Sequence, residues 1–491
     1  MAPTEDAAAA TPPPPPHFVI VPFVAQGHTI PMVDLARLLG SRGARVSLVT
    51  TPVNAARLRG VAGHATRAKL ALDIVELPFP TDVAGLPPGI EHVDQVTNHN
   101  HCVLLFAALR RLAEPLEAYL RSLPPPRRPS CLVSDWCNGW TAAVSARLGI
   151  PRLFFQGPPC FYSLCDINAV DHGLHEQTAA ARDDTEKFVV PGMPVRVEFL
   201  ACYEAVLGKP VWALGPFCLA NRGDAEATAS RGNAPDVARQ SAVTAWLDAM
   251  DTDDSVVFVS FGSLVRKLPN QLFEVGHGLE DSGVPFVWVV KESEAAAPEV
   301  AEWLAALEVR VAGRGLVVRG WAPQLAVLSH CAVGGFVTHC GWNSLLEAIA
   351  HGVPVATWPH FADQFLNERL VVDVLGVGVP VGVAEAAVMM LGDESAPVVA
   401  REDVARAVAA LMGDGEEAGE RRRKAKEYGE KAHRAMEKGG SSYESLTQLI
   451  ESFRQSGGEK KTEDGTVHAW SPLKEQKKID CYCNGSTDAE A

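Results

Sequence analysis

Short apolar segments alternate with helix-like segments along most of this 491-residue sequence. Parallel strands need a long crossover between them, usually a helix, so this alternation predicts parallel sheets covered by helices. In the first half, helical patterns at Met32–Ser41 and Val103–Leu123 lie between strand-like segments. These segments are His17–Phe23, Arg45–Thr51, Ala71–Leu77, Cys131–Ser134, Arg152–Gln156 and Val211–Leu214.

The same alternation starts again at Ser255, so the predicted fold class is α/β with two doubly wound parallel-sheet domains. Its predicted strands are Ser255–Phe261, Pro285–Val290, Gly315–Val318, Gly334–Thr338, Val353–Thr357 and Val377–Val381. Its closing helices are Arg401–Met412, Glu416–Lys438 and Ser441–Phe453. We divide the chain into a disordered lead (1–16), a first domain (17–218), a linker (219–241), a second domain (242–440), a last helix (441–455) and a disordered tail (456–491).

Composition excludes several classes of partner. A net charge of -15 argues against nucleic acid and anionic membranes, and no apolar run is long enough to span a bilayer. The eleven cysteines are scattered in core-like contexts and the N-terminus lacks a secretory signal, so we expect reduced thiols and a cytoplasmic location. Cys481 and Cys483 lack the spacing of a zinc site, and we expect no bound metal.

The segment from Trp321 to Gln364 carries the most chemical information. Its apolar run Val333–Val337 reads as a buried strand, and the helix that follows begins near Gly341-Trp342-Asn343-Ser344. A sharp strand-to-helix turn leaves unpaired N–H groups and a positive dipole end, where diphosphates bind. Gly341 allows close backbone approach, and Asn343 and Ser344 can cap the helix or donate to phosphate oxygens.

The sequence of this segment resembles the signature motif, or box, of plant secondary-product UDP-glycosyltransferases: WAPQ, then HCGWNSxxE, then a terminal DQ. The resemblance implies the GT-B fold, two Rossmann-like domains that face each other across a cleft. It also implies transfer of a sugar from a UDP-sugar to a small-molecule acceptor. We expect a monomer that needs no cofactor. In this family a final Gln goes with glucose, so Gln364 favours UDP-glucose.

The resemblance also assigns residue roles. Trp321 would stack on uracil, and Ala322 and Gln324 would bind its edge and the ribose, while Glu347 would accept bonds from the ribose hydroxyls. The diphosphate would be held by His339, Asn343 and Ser344. Ser263, in the FGS that ends the first strand of the second half, also matches the family and could donate to the β-phosphate. The sugar would be contacted by Trp342, Asp363 and Gln364.

Two residues of the first half are the predicted catalytic pair. His28 follows the first strand in GHxxPM, with a helix beginning near Pro31, and open α/β sheets bind ligands at the carboxyl ends of their strands. Histidine titrates near neutrality and can take the proton of an acceptor hydroxyl. Asp135, after the strand in LVSDW, is the candidate that orients it. Both positions match the family's base and its aspartate, which implies a single inverting displacement.

The resemblance covers roughly residues 18–453, but it is interrupted at Phe199-Leu200. There the family continues through loops, a helix and a strand, so the first domain is predicted to lack about one βαβ unit, roughly 30 residues or more. Either Val211–Leu214 moves into the gap, or two strand edges lose their partners.

Three hypotheses for function follow. The first is a UDP-glucose-dependent O-glucosyltransferase acting on flavonoid, terpenoid, steroid or phenolic hydroxyls. The second is a truncated, catalytically impaired isoform that keeps nucleotide-sugar binding. A nucleotide-sugar epimerase or dehydrogenase is disfavoured, because no G-x-G-x-x-G follows the first strand.

Overall fold

The computed structural model describes residues 14–174, 190–191, 193, 199–220, 237–383, 386 and 398–455. The predicted tail, most of the predicted lead and residues 221–236 of the predicted linker lie outside these residues. Residues 237–241 of that linker are the start of a helix.

The first domain is built on a parallel sheet with strand order β3-β2-β1-β4-β5. Every residue of β1, HFVIV, is buried, as expected of a parallel strand that is covered on both faces. The strands are β1 (His17–Val21), β2 (Arg45–Thr50), β3 (Leu72–Glu76), β4 (Cys131–Asp135) and β5 (Arg152–Phe155). The helices are α1 (Gln26–Ser41), α2 (Pro52–Arg57), α3 (Arg59–Arg67), α4 (His99–Arg110), α5 (Ala113–Ser122), α6 (Thr141–Leu148), α7 (Cys160–Asp171) and α8 (Phe199–Leu207).

The helix predicted at Val103–Leu123 is two helices, α4 and α5. Pro115 is the third residue of α5. A proline cannot donate to the carbonyl four residues earlier but is tolerated in a first turn, so a new helix starts here instead of the old one continuing.

The second domain has a parallel sheet of order β11-β10-β9-β6-β7-β8, which confirms the predicted fold class. Its strands are β6 (Val256–Ser260), β7 (Phe286–Val290), β8 (Gly315–Arg319), β9 (Val333–Thr338), β10 (Val355–Thr357) and β11 (Gly378–Pro380). Its helices are α9 (Val237–Asp248), α10 (Pro269–Ser282), α11 (Glu292–Ala295), α12 (Pro298–Arg310), α13 (Gln324–Leu328), α14 (Trp342–Ala350), α15 (Gln364–Arg369), α16 (Arg401–Met412) and α17 (Glu416–Met436).

The last helix, α18 (Ser441–Gln455), packs on the first domain rather than the second. Its buried residues Leu446, Leu449 and Ile450 belong to the same apolar core as β1 and α1. Phe453 meets the ring of Phe18 edge-on, with ring centroids 5.7 Å apart. The chain therefore forms the first domain, then the second, and comes back to the first domain at α18.

The strand predicted at Val211–Leu214 is wrong, because these residues make no sheet pairing. Trp212 and Leu214 are instead half-buried against the core of the first domain. In the described part of the chain, β5 is paired only with β4, and its Phe154 side chain is 40% exposed. Phe199 and Leu200, the site of the predicted deletion, form the start of α8. The deletion itself stays a prediction.

Candidate functional site

His28 and Asp135 lie at the carboxyl ends of two neighbouring strands, β1 and β4. The ring Nδ1 of His28 is 3.0 Å from Oδ2 of Asp135. Because an ionised carboxylate only accepts, Nδ1–H must donate, and this leaves Nε2 as the basic nitrogen. The structure thus pairs the two predicted catalytic residues, as the adjacency of their strands requires.

The environment of this pair raises the basicity of the histidine. Burial lowers the pKa of His28, but the charge and hydrogen bond of Asp135 and the charge of Asp363 outweigh it, so the pKa is raised. Asp135 is fully buried, and its second oxygen accepts the backbone N–H of Cys137 at 2.9 Å. The His28 side chain keeps 26% exposure and so can meet a ligand.

His28 belongs to the first turn of α1, since this helix begins at Gln26 and not near Pro31 as predicted. Pro31 has no N–H to donate to the carbonyl of Gly27, four residues earlier, and that carbonyl has no helical partner. The side-chain amide of Asn343, from the second domain, donates to it instead. The box and the turn that carries His28 are therefore in direct contact.

The helix end of the box is open to a ligand. Gly341 is the N-cap of α14, and among the described residues no side chain caps this helix. Of the two roles predicted for Asn343 and Ser344, capping or donating to phosphate, capping is therefore not seen: the Asn343 amide donates to Gly27, and the Ser344 hydroxyl accepts from Gln324 at 3.0 Å. A nine-residue helix with an uncapped first turn offers its N–H groups and dipole to an anion.

Gln324, Ser344 and Glu347 form a hydrogen-bonded group next to this helix end. The amide nitrogen of Gln324 donates to Ser344 and, at 2.8 Å, to a carboxylate oxygen of Glu347. Glu347 is 4% exposed. These hydrogen bonds hold in place the side chains of Gln324 and Glu347, which the resemblance assigned to the uracil edge and the ribose.

His339 is held between two glycines. A β-carbon on Gly262 would lie 2.5 Å from Cε1 of His339, and one on Gly341 would lie 2.4 Å from its Nε2. Gly262 also has φ +69°, which disfavours other residues. Burial first, and then the charges of Lys291 and Lys267, lower the pKa of His339 to about 3, so the ring is neutral.

Lys267, which the sequence analysis did not single out, is a buried lysine near His339 that lines the same cavity. Lys267 is 8% exposed, and its ammonium lies 3.1 Å from Nε2 of His360 and over the rings of Phe261 and Trp358, at 3.9 and 4.2 Å. Burial lowers the pKa of Lys267 to about 7, with Glu294 opposing the shift. The partners lie 93 residues apart in sequence, so no local pattern could have found them.

Hydrogen bonds fix the orientation of the last two residues of the box, Asp363 and Gln364. Gln364 accepts the N–H groups of His360 and Phe361 through Oε1, at 2.8 and 3.1 Å, which orients its NH₂ group as the end left for a ligand. Asp363 accepts from Asn367 at 2.7 Å, and burial raises its pKa. The negative charge of Asp363 helps to raise the pKa of His28, so these two residues belong to one site.

One cavity of about 4140 Å³, lined by both domains, unites the predicted residues. It is far larger than the roughly 300–1,000 Å³ of a typical small-molecule pocket, so it has room for two substrates. All the candidates except Asp135, which lies behind His28, line it: His28, Ser263, Trp321, Ala322, Gln324, His339, Gly341, Trp342, Asn343, Ser344, Glu347, Asp363 and Gln364.

The helices of the described residues include none that is both long and apolar enough to cross a bilayer.

Comparisons with family models and with known proteins all identify the same protein family. Residues 240–392 match the sequence model described as UDP-glucoronosyl and UDP-glucosyl transferase, and residues 17–191 match that of the glycosyltransferase N-terminal domain. UDP-glycosyltransferase 73C3 of Arabidopsis thaliana is 39% identical over 487 residues, which cover 89% of this chain and 96% of that protein. UDP-glycosyltransferase 73E1 of Stevia rebaudiana is 38% identical, with coverages of 88% and 95%.

Solved structures agree. The crystal structure of Glycyrrhiza uralensis UGT73P12, complexed with glycyrrhetinic acid 3-O-monoglucuronide, matches with a TM-score of 0.79 at 34% identity. The match covers 91% of this chain and 96% of that one. Arabidopsis thaliana UGT89C1 complexed with quercetin matches with a TM-score of 0.68 at 30% identity, with coverages of 90% and 100%.

Proposed function

Because the chain belongs to the plant family 1 UDP-glycosyltransferases, we propose that it transfers glucose from UDP-glucose to a hydroxyl of a small secondary metabolite. The observation that carries this proposal is the contact between Asn343 and Gly27, which sets the open helix end of the donor box beside His28. A leaving diphosphate at the helix end and an acceptor hydroxyl at His28 then flank one anomeric carbon.

The proposed reaction is a single displacement with inversion. Nε2 of His28 takes the hydroxyl proton while that oxygen attacks the anomeric carbon, and Asp135 stabilises the imidazolium. The bond to UDP breaks on the opposite face, and its charge goes to the diphosphate at the N-terminus of α14. We expect no metal to be needed for this step, since the helix end supplies the stabilisation.

Glucose is supported by Gln364. Its oxygen is occupied and its NH₂ group can donate to a hydroxyl oxygen of a neutral hexose, and the choice of glucose follows from the family, in which a final Gln goes with glucose. The acceptor proposal, a flavonoid, terpenoid, steroid or phenolic, is supported by the apolar part of the cavity near His28, where Phe23, Phe106 and Trp136 lie.

The test is product formation from UDP-glucose, UDP-galactose and UDP-glucuronate with a panel of such acceptors, followed by mass spectrometry and NMR of the anomeric proton. We expect a β-glucoside from UDP-glucose. A product with retained α configuration, or a preference for another donor, would contradict the mechanism or the sugar assignment respectively.

A second candidate rests on the single pairing of β5 and on the exposed Phe154 beside it. A chain with an incomplete acceptor domain would bind UDP-glucose without turnover. UDP at about 100 times its Kd stabilises a binding-competent fold by about 2.7 kcal/mol. A UDP-dependent rise in melting temperature without any product would favour this candidate over the transferase.

We also propose a cytosolic monomer. No disulfide joins the described cysteines, which suits a reducing compartment, and a single chain supplies both sides of the cavity. A fluorescent fusion in plant cells and sedimentation of the purified protein test the two statements separately.

A further inference from the structure

Three metal-ligand side chains converge at the catalytic turn: His28, Asp135 and Cys137. One donor atom from each lies within 4.8 Å of the other two. Sequence spacing could not show this, because His28 lies on α1, more than a hundred residues before Asp135, the last residue of β4, and Cys137. Cys137 was not among the predicted site residues.

The donor set matches zinc. Imidazole nitrogen, thiolate sulfur and carboxylate oxygen are its usual ligands, at about 2.0–2.3 Å, which places tetrahedral ligand atoms about 3.3–3.8 Å apart. Nδ1 of His28 and Oδ2 of Asp135 are already 3.0 Å apart. Closing the cluster therefore takes side-chain movement of about 1 Å and no rearrangement of the fold.

The surroundings keep the cluster in place yet accessible. The backbone N–H of Cys137 donates to Oδ1 of Asp135, so the carboxylate is anchored to the backbone of the residue that carries the thiol. His28 and Cys137 both line the large cavity, which leaves a fourth coordination position for water from that side. Three protein ligands and one open position make up the usual arrangement of an accessible zinc site.

We propose that His28, Asp135 and Cys137 form a zinc-binding site, and that zinc bound there inhibits the transferase. On binding, the His28 proton moves from Nδ1 to Nε2, so that the neutral ring ligates zinc through Nδ1, and the proton of the Cys137 thiol goes to solvent. No electron is transferred. Zinc binding does not depend on the proposed function, whereas inhibition does, because it follows from removing the general base.

The test titrates the metal-free full-length protein with Zn²⁺ by calorimetry, and with Co²⁺ by absorption spectroscopy, where a thiolate ligand gives a near-ultraviolet charge-transfer band. The variants are Cys137→Ser and, as a matched control, Cys160→Ser, since Cys160 is also half-buried and lines the cavity but lies outside the cluster. Losing an outer-shell partner costs a metal site about 10–100-fold in affinity, so we expect loss of the sulfur ligand to cost about 100-fold or more.

We expect one saturable Zn²⁺ per wild-type chain, a cobalt–thiolate band that Cys137→Ser removes and Cys160→Ser keeps, and inhibition that EDTA reverses. Equal zinc affinity and band intensity in wild type and Cys137→Ser would overturn the site, as would no saturable binding. Asp135→Asn, judged by binding alone, gives a second variant in case Cys137→Ser unfolds. Binding without inhibition would keep the site and refute its effect on turnover.

Discussion

The amide of Asn343 donates to the carbonyl of Gly27, the residue before His28, across the boundary between the domains. That carbonyl is available because Pro31 cannot donate to it. A proline in α1 and an asparagine in α14 thus set the distance between His28 and the N-terminus of α14.

Replacing Asn343 by Ala removes this hydrogen bond to the exposed Gly27, at a cost of about 0.5–1.5 kcal/mol, and also removes a predicted donor to the diphosphate, at a similar cost. We expect KM for UDP-glucose to rise about 5–100-fold, as measured by initial rates. Asn270→Ala, on the exposed surface of α10, is the control and should leave KM unchanged. Equal KM values for the two variants would contradict a bridging role.

Removing the base should affect turnover and not folding. General-base catalysis is worth about 10²–10⁴-fold, so we expect kcat of His28→Ala to fall by that factor while KM for UDP-glucose changes little. Asp135→Asn should cost a similar factor through loss of the orienting charge. Activity within threefold of wild type in His28→Ala would exclude it as the base.

The pH dependence follows from the raised pKa of His28. The base must be neutral to act, so kcat/KM should fall as the pH drops through a pKa above 6.5. Asp135→Asn removes the largest of the two raising charges, and the acid limb of its residual activity should therefore move to lower pH. An acid limb that moves upward would contradict the assignment.

Gly262 should tolerate no side chain. Gly262→Ala places a methyl group 2.5 Å from His339 and adds the strain of φ +69°, of about 1 kcal/mol or more. Gly149→Ala is a matched control, because Gly149 has φ +62° with no atom near its missing β-carbon. We expect both variants to lose stability, but only Gly262→Ala to lose UDP binding by calorimetry.

Lys267 should make the fold less stable at acidic pH. Its pKa falls from 10.5 to about 7 on folding, so below pH 7 the folded protein carries the full cost of a buried ammonium. As the pH rises from 7 towards 10.5, the unfolded chain binds more protons than the folded chain, and stability increases. Lys267→Leu should therefore raise the melting temperature more at pH 6 than at pH 9, and the reverse order would contradict this.

Local sequence patterns predicted the fold well, because each buried strand of a parallel sheet is a short apolar run whatever its neighbours are. The same reasoning failed at Val211–Leu214. The side chains of this apolar run pack against the core of the first domain, but its backbone does not pair with a strand of the sheet. The part of the site that lies in the second domain was largely predictable, since most of its residues fall in one continuous segment of the sequence, Trp321 to Gln364. The Lys267–His360 and Asn343–Gly27 contacts join distant segments, and only the folded chain reveals them.

The return of α18 to the first domain affects the order of synthesis. Leu446, Leu449 and Ile450 fill the core beside β1, yet they leave the ribosome after the whole second domain has been made. Until the last helix is made, the first domain therefore has an exposed apolar face, to which chaperones can bind during translation. A nascent chain stalled before residue 441 should expose the first domain to protease, while the second domain is already resistant.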